Sequence, residues 1–157
     1  MKKIRTAVLI VLVLLCAAGC DSALHNAIYD DDKAIAGVDS VVVLTSIGTC
    51  LDEGSYEITI ASQTGAQTVW RCDADSDTGT VNLSCRMTVS DGGKAKIVLI
   101  DPDNVVTTLL EAAAGDDEQL TEYTFDAEKG RYRIKIVAAD GAAIKAGIDF
   151  DKGTWGK

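Results

Sequence analysis

The chain has 157 residues, 47% of them hydrophobic, with 24 acidic against 15 basic side chains and a formal net charge of −9. That is one domain's worth of chain, enough to bury a core without metals or many disulfides. Its excess of carboxylates repels phosphate backbones, which excludes nucleic acid as an expected partner and makes a basic protein or a cation the better electrostatic match.

Lys2, Lys3 and Arg5 precede an uninterrupted apolar run from Ala7 to Ala18, followed by Gly19 and Cys20. Charge, a short apolar core and small residues before a cut form the three-part layout of a secretory signal. The run falls short of the roughly 20 apolar residues that span a bilayer. An Ala-Ala-Gly ending also suits an ordinary signal peptidase, so Cys20 carries the distinction. Ala17-Ala18-Gly19-Cys20 resembles the lipobox of bacterial lipoproteins. The resemblance implies that residues 1–19 are a lipoprotein signal peptide and that Cys20 becomes the acylated first residue. Such a protein would sit on the extracytoplasmic face of a cell membrane, held through N-terminal acyl groups of the palmitate kind. Each buried methylene contributes about 0.8 kcal/mol and a single chain holds only marginally. Lipoproteins carry two or three chains. Asp21 hints at inner-membrane retention by an enterobacterial rule, which leaves inner and outer membrane open. Loss of Lys2, Lys3 and Arg5 takes the charge from −9 to −12.

Residues 20–37 hold the only histidine, His25, and the acidic run Asp30-Asp31-Asp32. Without sustained alternation, they are expected to form a flexible tether. From Val38 the pattern changes to short period-two runs ended by Gly, Asp, Asn or Ser. Strands are expected over 38–47, 54–60, 66–72, 81–89, 94–101, 120–125, 130–138 and 142–150. Residues 105–114 begin as strand but pass into Glu111-Ala-Ala-Ala, which favours helix. Asp91-Gly92-Gly93 and Asp101-Pro102-Asp103-Asn104 are turn sequences, the second with Pro where a fixed φ is useful. Residues 152–157 form a tail.

Half-polar alternation gives each sheet one wet face and favours antiparallel pairing. The expected class is all-β, an antiparallel β-sandwich or jelly roll of eight to nine strands over residues 38–151, with a closed barrel as the alternative. Gly93 to Asp103 and Lys129 to Ala138 loosely resemble secreted bacterial β-sandwich modules of the pre-peptidase C-terminal type. That resemblance implies no catalytic residues.

Beyond Cys16 and Cys20 three cysteines remain, Cys50, Cys72 and Cys85, so at most one internal bridge can form. A hairpin turning at Thr78-Gly79 would place Cys72 opposite Cys85 and Trp70 opposite Met87, with their apolar sets on one face. Cys72–Cys85 is therefore the preferred candidate disulfide, against either pairing with Cys50 or three reduced thiols packed as small apolar groups. Within that hairpin, Asp73, Asp75 and Asp77 resemble the opening of a calcium loop, since alternating oxygen ligands suit a hard cation. The glycine falls one position late, however, and Ser84 stands where the bidentate glutamate belongs. No other cofactor is implied. Arg131, Arg133, Lys135, Lys94 and Lys96 form an outer basic stripe, expected to pair across strands with acids. Tyr56, Trp70 and Tyr132 fall at core positions.

His25 lies in the expected tether, so nucleophilic triads lack their base, and no phosphate loop or Gly-x-Ser-x-Gly occurs. No enzymatic activity is expected. The expectation is a non-catalytic binding or accessory module whose partner is an envelope protein or glycan. Two alternatives stand beside it. One is a calcium-dependent carbohydrate- or protein-binding domain. The other is an inhibitor of a basic envelope-attacking enzyme such as lysozyme, because Arg71-Cys72-Asp73 faintly resembles lysozyme-inhibitor lipoproteins.

Overall fold

The computed structural model describes residues 23–37, 40–44, 47–52, 54–74 and 79–150. Among the described residues, eight antiparallel strands form a single sheet: β1 (Ser40–Leu44), β2 (Ile47–Asp52), β3 (Ser55–Ala74), β4 (Gly79–Asp91), β5 (Lys94–Ile100), β6 (Val106–Ala113), β7 (Gln119–Ala127) and β8 (Gly130–Phe150). The two longest strands pair along their whole length, from Ser55↔Asp149 to Ala74↔Gly130. On the far side of β8, β4 follows its C-terminal half and β5 its N-terminal half. β7 and β6 extend the same two halves outward, and β2 and β1 do so beyond β3. The sheet is thus five plies wide and creased once across all of them, so that its two arms face each other as a β-sandwich. Arm A holds β2, β7, β4 and the outer ends of β3 and β8; arm B holds β1, β5, β6 and the remainder of β3 and β8.

The crease has a sequence cause in the three central plies. In β8 it falls at Asp140 and Gly141, both at positive φ, and between β4 and β5 it falls at Gly92, φ 82. In β3 the register slips at Gln63 and Gly65. The fully buried Gln63 pins that slip by donating from Nε2 to Gly65 O (3.1 Å) and Ile136 O (2.8 Å). Backbone groups freed by a bulge need such partners.

Inside the fold, period-two alternation delivers Ile58 and Ile60 from β3, Leu83, Cys85 and Met87 from β4, and Ile144 and Ile148 from β8 into one core with Ile97, Ile134 and Ile136 of arm B. Trp70 of arm B stacks on Phe150 of arm A, centroids 4.9 Å apart. The middle of arm B, around Val98 and Val137, is buried on its outer face too. Residues 23–27 form a helical turn that passes into a 3-10 turn, Ile28–Asp30, and then helix α1 (Asp32–Gly37). Ile28, Tyr29, Ile35 and Ala36 pack onto Ala66, Val98, Ile100, Val137 and Ala139.

This corrects the flexible tether expected over 20–37: its described part, 23–37, is a strap bound to the sheet. The basic stripe is corrected with it. Lys135 is wholly buried and donates to Ile35 O at 2.7 Å; Arg133 donates to Ala36 O (2.9 Å) and Asn104 Oδ1 (2.7 Å). Helix-end carbonyls are natural acceptors for such cations. Lys94 and Lys96 lie over the Tyr29 ring at 4.1 and 4.9 Å. Arg131 makes the expected cross-strand pair, with Asp73.

The other departures concern joins. Runs 54–60 and 66–72 are one strand, as are 130–138 and 142–150, because β3 and β8 pass through the crease unbroken. Residues 106–113 are strand, their Ala-rich end paired with Lys94 and Ala95.

Candidate functional site

The expected hairpin joining Cys72 to Cys85 does not form. β8 lies between β3 and β4: Cys72 pairs with Tyr132 and Cys85 with Ile148, at opposite ends of β8. Strands two places apart stand about 9.6 Å from each other, beyond the reach of a disulfide, and no bond joins the two thiols. Agreement of apolar faces was satisfied by both strands facing the same core rather than each other. Cys50 lies on β2 with its side chain outside the described residues. Burial, together with the nearby Asp149 charge, pushes the Cys85 thiol up to about 12, so it stays protonated and inert. Native-state treatment with iodoacetamide at pH 8 is expected to modify half-buried Cys72 and leave Cys85 unlabelled until denaturant is added, as read by peptide mass spectrometry.

Of the candidate calcium ligands, Asp75 and Asp77 lie outside the described residues. Asp73 sits on the exposed end of β3, where Arg131 engages both its oxygens, at 2.6 and 3.3 Å. The guanidinium holds its carboxyl below the usual range and takes up the lone pairs a cation would need. Cys20 also lies outside the described residues.

Two surfaces carry concentrations of polar side chains. On the outer face of arm A, Arg86 crosses Gly147 of β8 to reach Glu57 of β3, its Nη1 donating to Asp149 Oδ2 at 2.6 Å. The three positions form one row across the sheet. A Cβ at Gly147 would lie 2.5 Å from the Arg86 guanidinium, so the glycine is what lets the arginine lie flat. Partial burial pushes the Asp149 carboxyl up, but hydrogen bonds from Ser55 and Arg86 and the Arg86 charge outweigh it, leaving it below the usual value. A depressed carboxylate contributes stability above its unfolded pKa and loses it as pH falls through the folded one. Arg86→Met is expected to cost about 1 kcal/mol at pH 7, in line with a partly exposed network. The gap from wild type should narrow in urea titrations below about pH 4. Beside this row lies a pocket of about 370 Å³, but there Thr124 bonds Asn82 at 2.7 Å. These contacts tie strands together.

The second surface is the mouth of the sandwich, at the end away from the crease. The turn expected at Asp101–Asn104 forms: Asn104 N donates to Asp101 O at 3.1 Å and Val105 N to Asp101 Oδ1 at 2.8 Å. Gly130, φ 144, brings the start of β8 against Pro102, where a Cβ would lie 2.5 Å from the ring. The contact draws the Asp101 turn onto the β7–β8 turn. Between them opens a cavity of about 350 Å³, lined by Asp101, Asp103, Asp126 and Glu128 over Tyr123, Phe125 and Tyr132. The rings form a continuous series, with centroids 6.1 Å apart for Tyr123–Phe125 and 5.5 Å for Phe125–Tyr132. Tyr132 OH accepts from Glu128 N at 2.9 Å. Burial raises its phenol pKa, and the charges of Glu128, Asp101 and Asp103 raise it further. Those carboxylates therefore impose a negative potential on the cavity. Lys129 is the one basic residue among its described lining.

No protein-family model matches the sequence, and no curated protein matches it. Several solved structures resemble the fold. One is a carbohydrate-binding module of Cellvibrio mixtus lichenase 5A in complex with cellotriose: 16% identity, 74% of this chain and 93% of that one, TM-score 0.39. Another is a family 29 carbohydrate-binding module complexed with mannohexaose: 14% identity, 73% and 82%, TM-score 0.38. A third comes from the Bacillus endospore appendages, a family of disulfide-linked pili: 15% identity, 69% and 89%, TM-score 0.42. At these identities and scores the likenesses bear on neither ligand nor site.

Proposed function

We propose that the protein is a lipid-anchored, non-catalytic binding module of the cell envelope whose mouth captures a cationic group, such as a basic side chain presented by an envelope protein. The observation that carries this reading is the aromatic floor beneath a carboxylate rim. A cation gains from ring faces, about 0.5–2 kcal/mol each according to desolvation, and from the negative field. The cavity falls at the lower end of the size usual for ligand sites. The anchor rests on the Cys20 sequence pattern. A basic enzyme such as lysozyme supplies the same chemistry, and the net charge of −12 left after loss of Lys2, Lys3 and Arg5 would speed its approach at low salt.

Calorimetric titration with a short oligo-lysine peptide and with lysozyme tests the site. Asp103→Asn combined with Glu128→Gln is expected to weaken binding at least about tenfold, or roughly 1.4 kcal/mol. Raising salt from 50 to 300 mM should weaken the wild type as well. Binding of a neutral oligosaccharide with no response to either basic probe would overturn the cationic reading.

A further inference from the structure

We infer that the body stands on the bilayer with its crease toward the lipid and its mouth toward the envelope space. The inference rests on the lipid anchor proposed above. Its structural basis is where the strap begins. Asn26 and Asp140 are held together by two hydrogen bonds, Asn26 Nδ2 to Asp140 Oδ1 at 2.8 Å and Asp140 N to Asn26 Oδ1 at 2.9 Å. Asp140 is the crease residue of β8. The strap then runs away from the crease, past Lys94 at Asp30 and Tyr29 and Lys135 at Ile35, to Arg133 at Ala36. Its direction is fixed by the paired Asn26–Asp140 bonds at its start and by the buried Lys135 and Arg133 bonds at its far end.

Cys20 precedes residue 23 by three peptide steps, so it lies within about 11 Å of the start of the strap by chain length alone. Residue 23 is itself within about 5 Å of Asn26 along the helical turn. The acyl chains would therefore enter the membrane beside the crease. The mouth stands at the far end of arms about 30 Å long, at roughly 3.3 Å per residue. A flexible tether of 18 residues would have allowed every orientation; the bound strap removes that freedom.

Attraction to headgroups does not set this arrangement. The crease end carries Asp91, Asp116, Asp117 and Asp140, which anionic lipid repels within a Debye length of about 8 Å. On such a leaflet the body would stand off the surface, still hung from its crease. The covalent attachment would point the acidic, aromatic mouth outward, where a basic protein can reach it.

Ser90 and Thr80 provide a ruler, because both are exposed and lie on β4, close to the crease and to the mouth respectively. They are separated by about 33 Å. The full-length protein, matured in a lipoprotein-processing host, would carry a fluorescent amino acid at one position or the other. It would be reconstituted into vesicles with headgroup-labelled acceptor lipid, one set zwitterionic and one anionic. Energy transfer is expected to be several-fold higher from Ser90 than from Thr80 in both. Equal transfer from the two sites, or more from Thr80, would overturn the orientation while leaving the anchor intact. Absence of acyl mass on Cys20, with protein remaining in the vesicle supernatant, would overturn the anchor and the orientation together. Asn26→Ala combined with Ile35→Asp should bring the ratio toward one, and an unchanged ratio would overturn the role of the strap.

Discussion

A chain cut to begin at residue 38 is expected to be at least about 3 kcal/mol less stable than one beginning at Asp21. The magnitude follows from what the strap covers. Its removal exposes Val98, Ile100 and Val137, each wholly buried in the intact fold, and burial of a side chain of this size contributes roughly 1.5–3 kcal/mol. The ordering entropy of the lost segment is recovered, and Lys135 regains water. These returns offset part of the loss, so the net is smaller than the sum of exposures. Against a total of about 5–15 kcal/mol for a domain, that remainder is large. A tether would change stability by less than about 0.5 kcal/mol. Urea denaturation of the two chains separates the cases, and Ile35→Asp in the longer chain supplies a check that keeps its length. Placing a carboxylate where Ile35 is fully buried should cost about as much as the truncation.

The strap also shows where local pattern stops being informative. Strands 81–89, 94–101, 120–125 and both arms of β8 were legible because period two records which side chains face the core. Lys135 and Arg133 alternate with Ile134 and Ile136, so the same pattern assigned them to a wet face. What covers them is two short helical pieces contributing Ile28, Tyr29, Ile35 and Ala36, too few apolar positions to register as a periodic segment. The middle of arm B is consequently buried on both faces, and β5 is covered from Ala95 to Ile100. Cys72 and Cys85 show the complementary limit: facing one core is a property of each strand, whereas adjacency belongs to the topology.

The mouth was legible in pieces. The Asp101–Asn104 turn and the apolar phase of Tyr132 follow from sequence, and Tyr132 is indeed buried. That this turn meets Glu128 above Tyr123 and Phe125 depends on β7 and β5 lying in opposite arms, which no window of neighbouring residues records. The available signal was compositional: Tyr123, Phe125 and Tyr132 fall within ten residues of a chain only 5% aromatic, with Asp126 and Glu128 among them.

The largest single-residue effect is expected at the crease, from Gly92→Ala. Gly92 has φ 82, and a Cβ there would lie 2.5 Å from Gly141 O and 2.9 Å from Ala142 Cα. Both are backbone atoms of β8, so no side chain can swing aside. Gly115, φ 92, has no atom within 4 Å of its would-be Cβ and isolates the conformational part of the cost. Gly115→Ala should lose about 1–2 kcal/mol, the strain of a left-handed residue. Gly92→Ala should lose about 3–5 kcal/mol, because the same strain is joined by overpacking worth another 1–3 kcal/mol and by disturbance of two strands. Chemical denaturation of both variants checks the difference. Near-equal losses would mean that β8 yields at Gly141 and that the crease tolerates opening. A gap of 2 kcal/mol or more would place the fold's most sensitive joint where β4 hands over to β5, at the end opposite the mouth, so that side chains around the cavity can be exchanged without disturbing the element that shapes the sandwich.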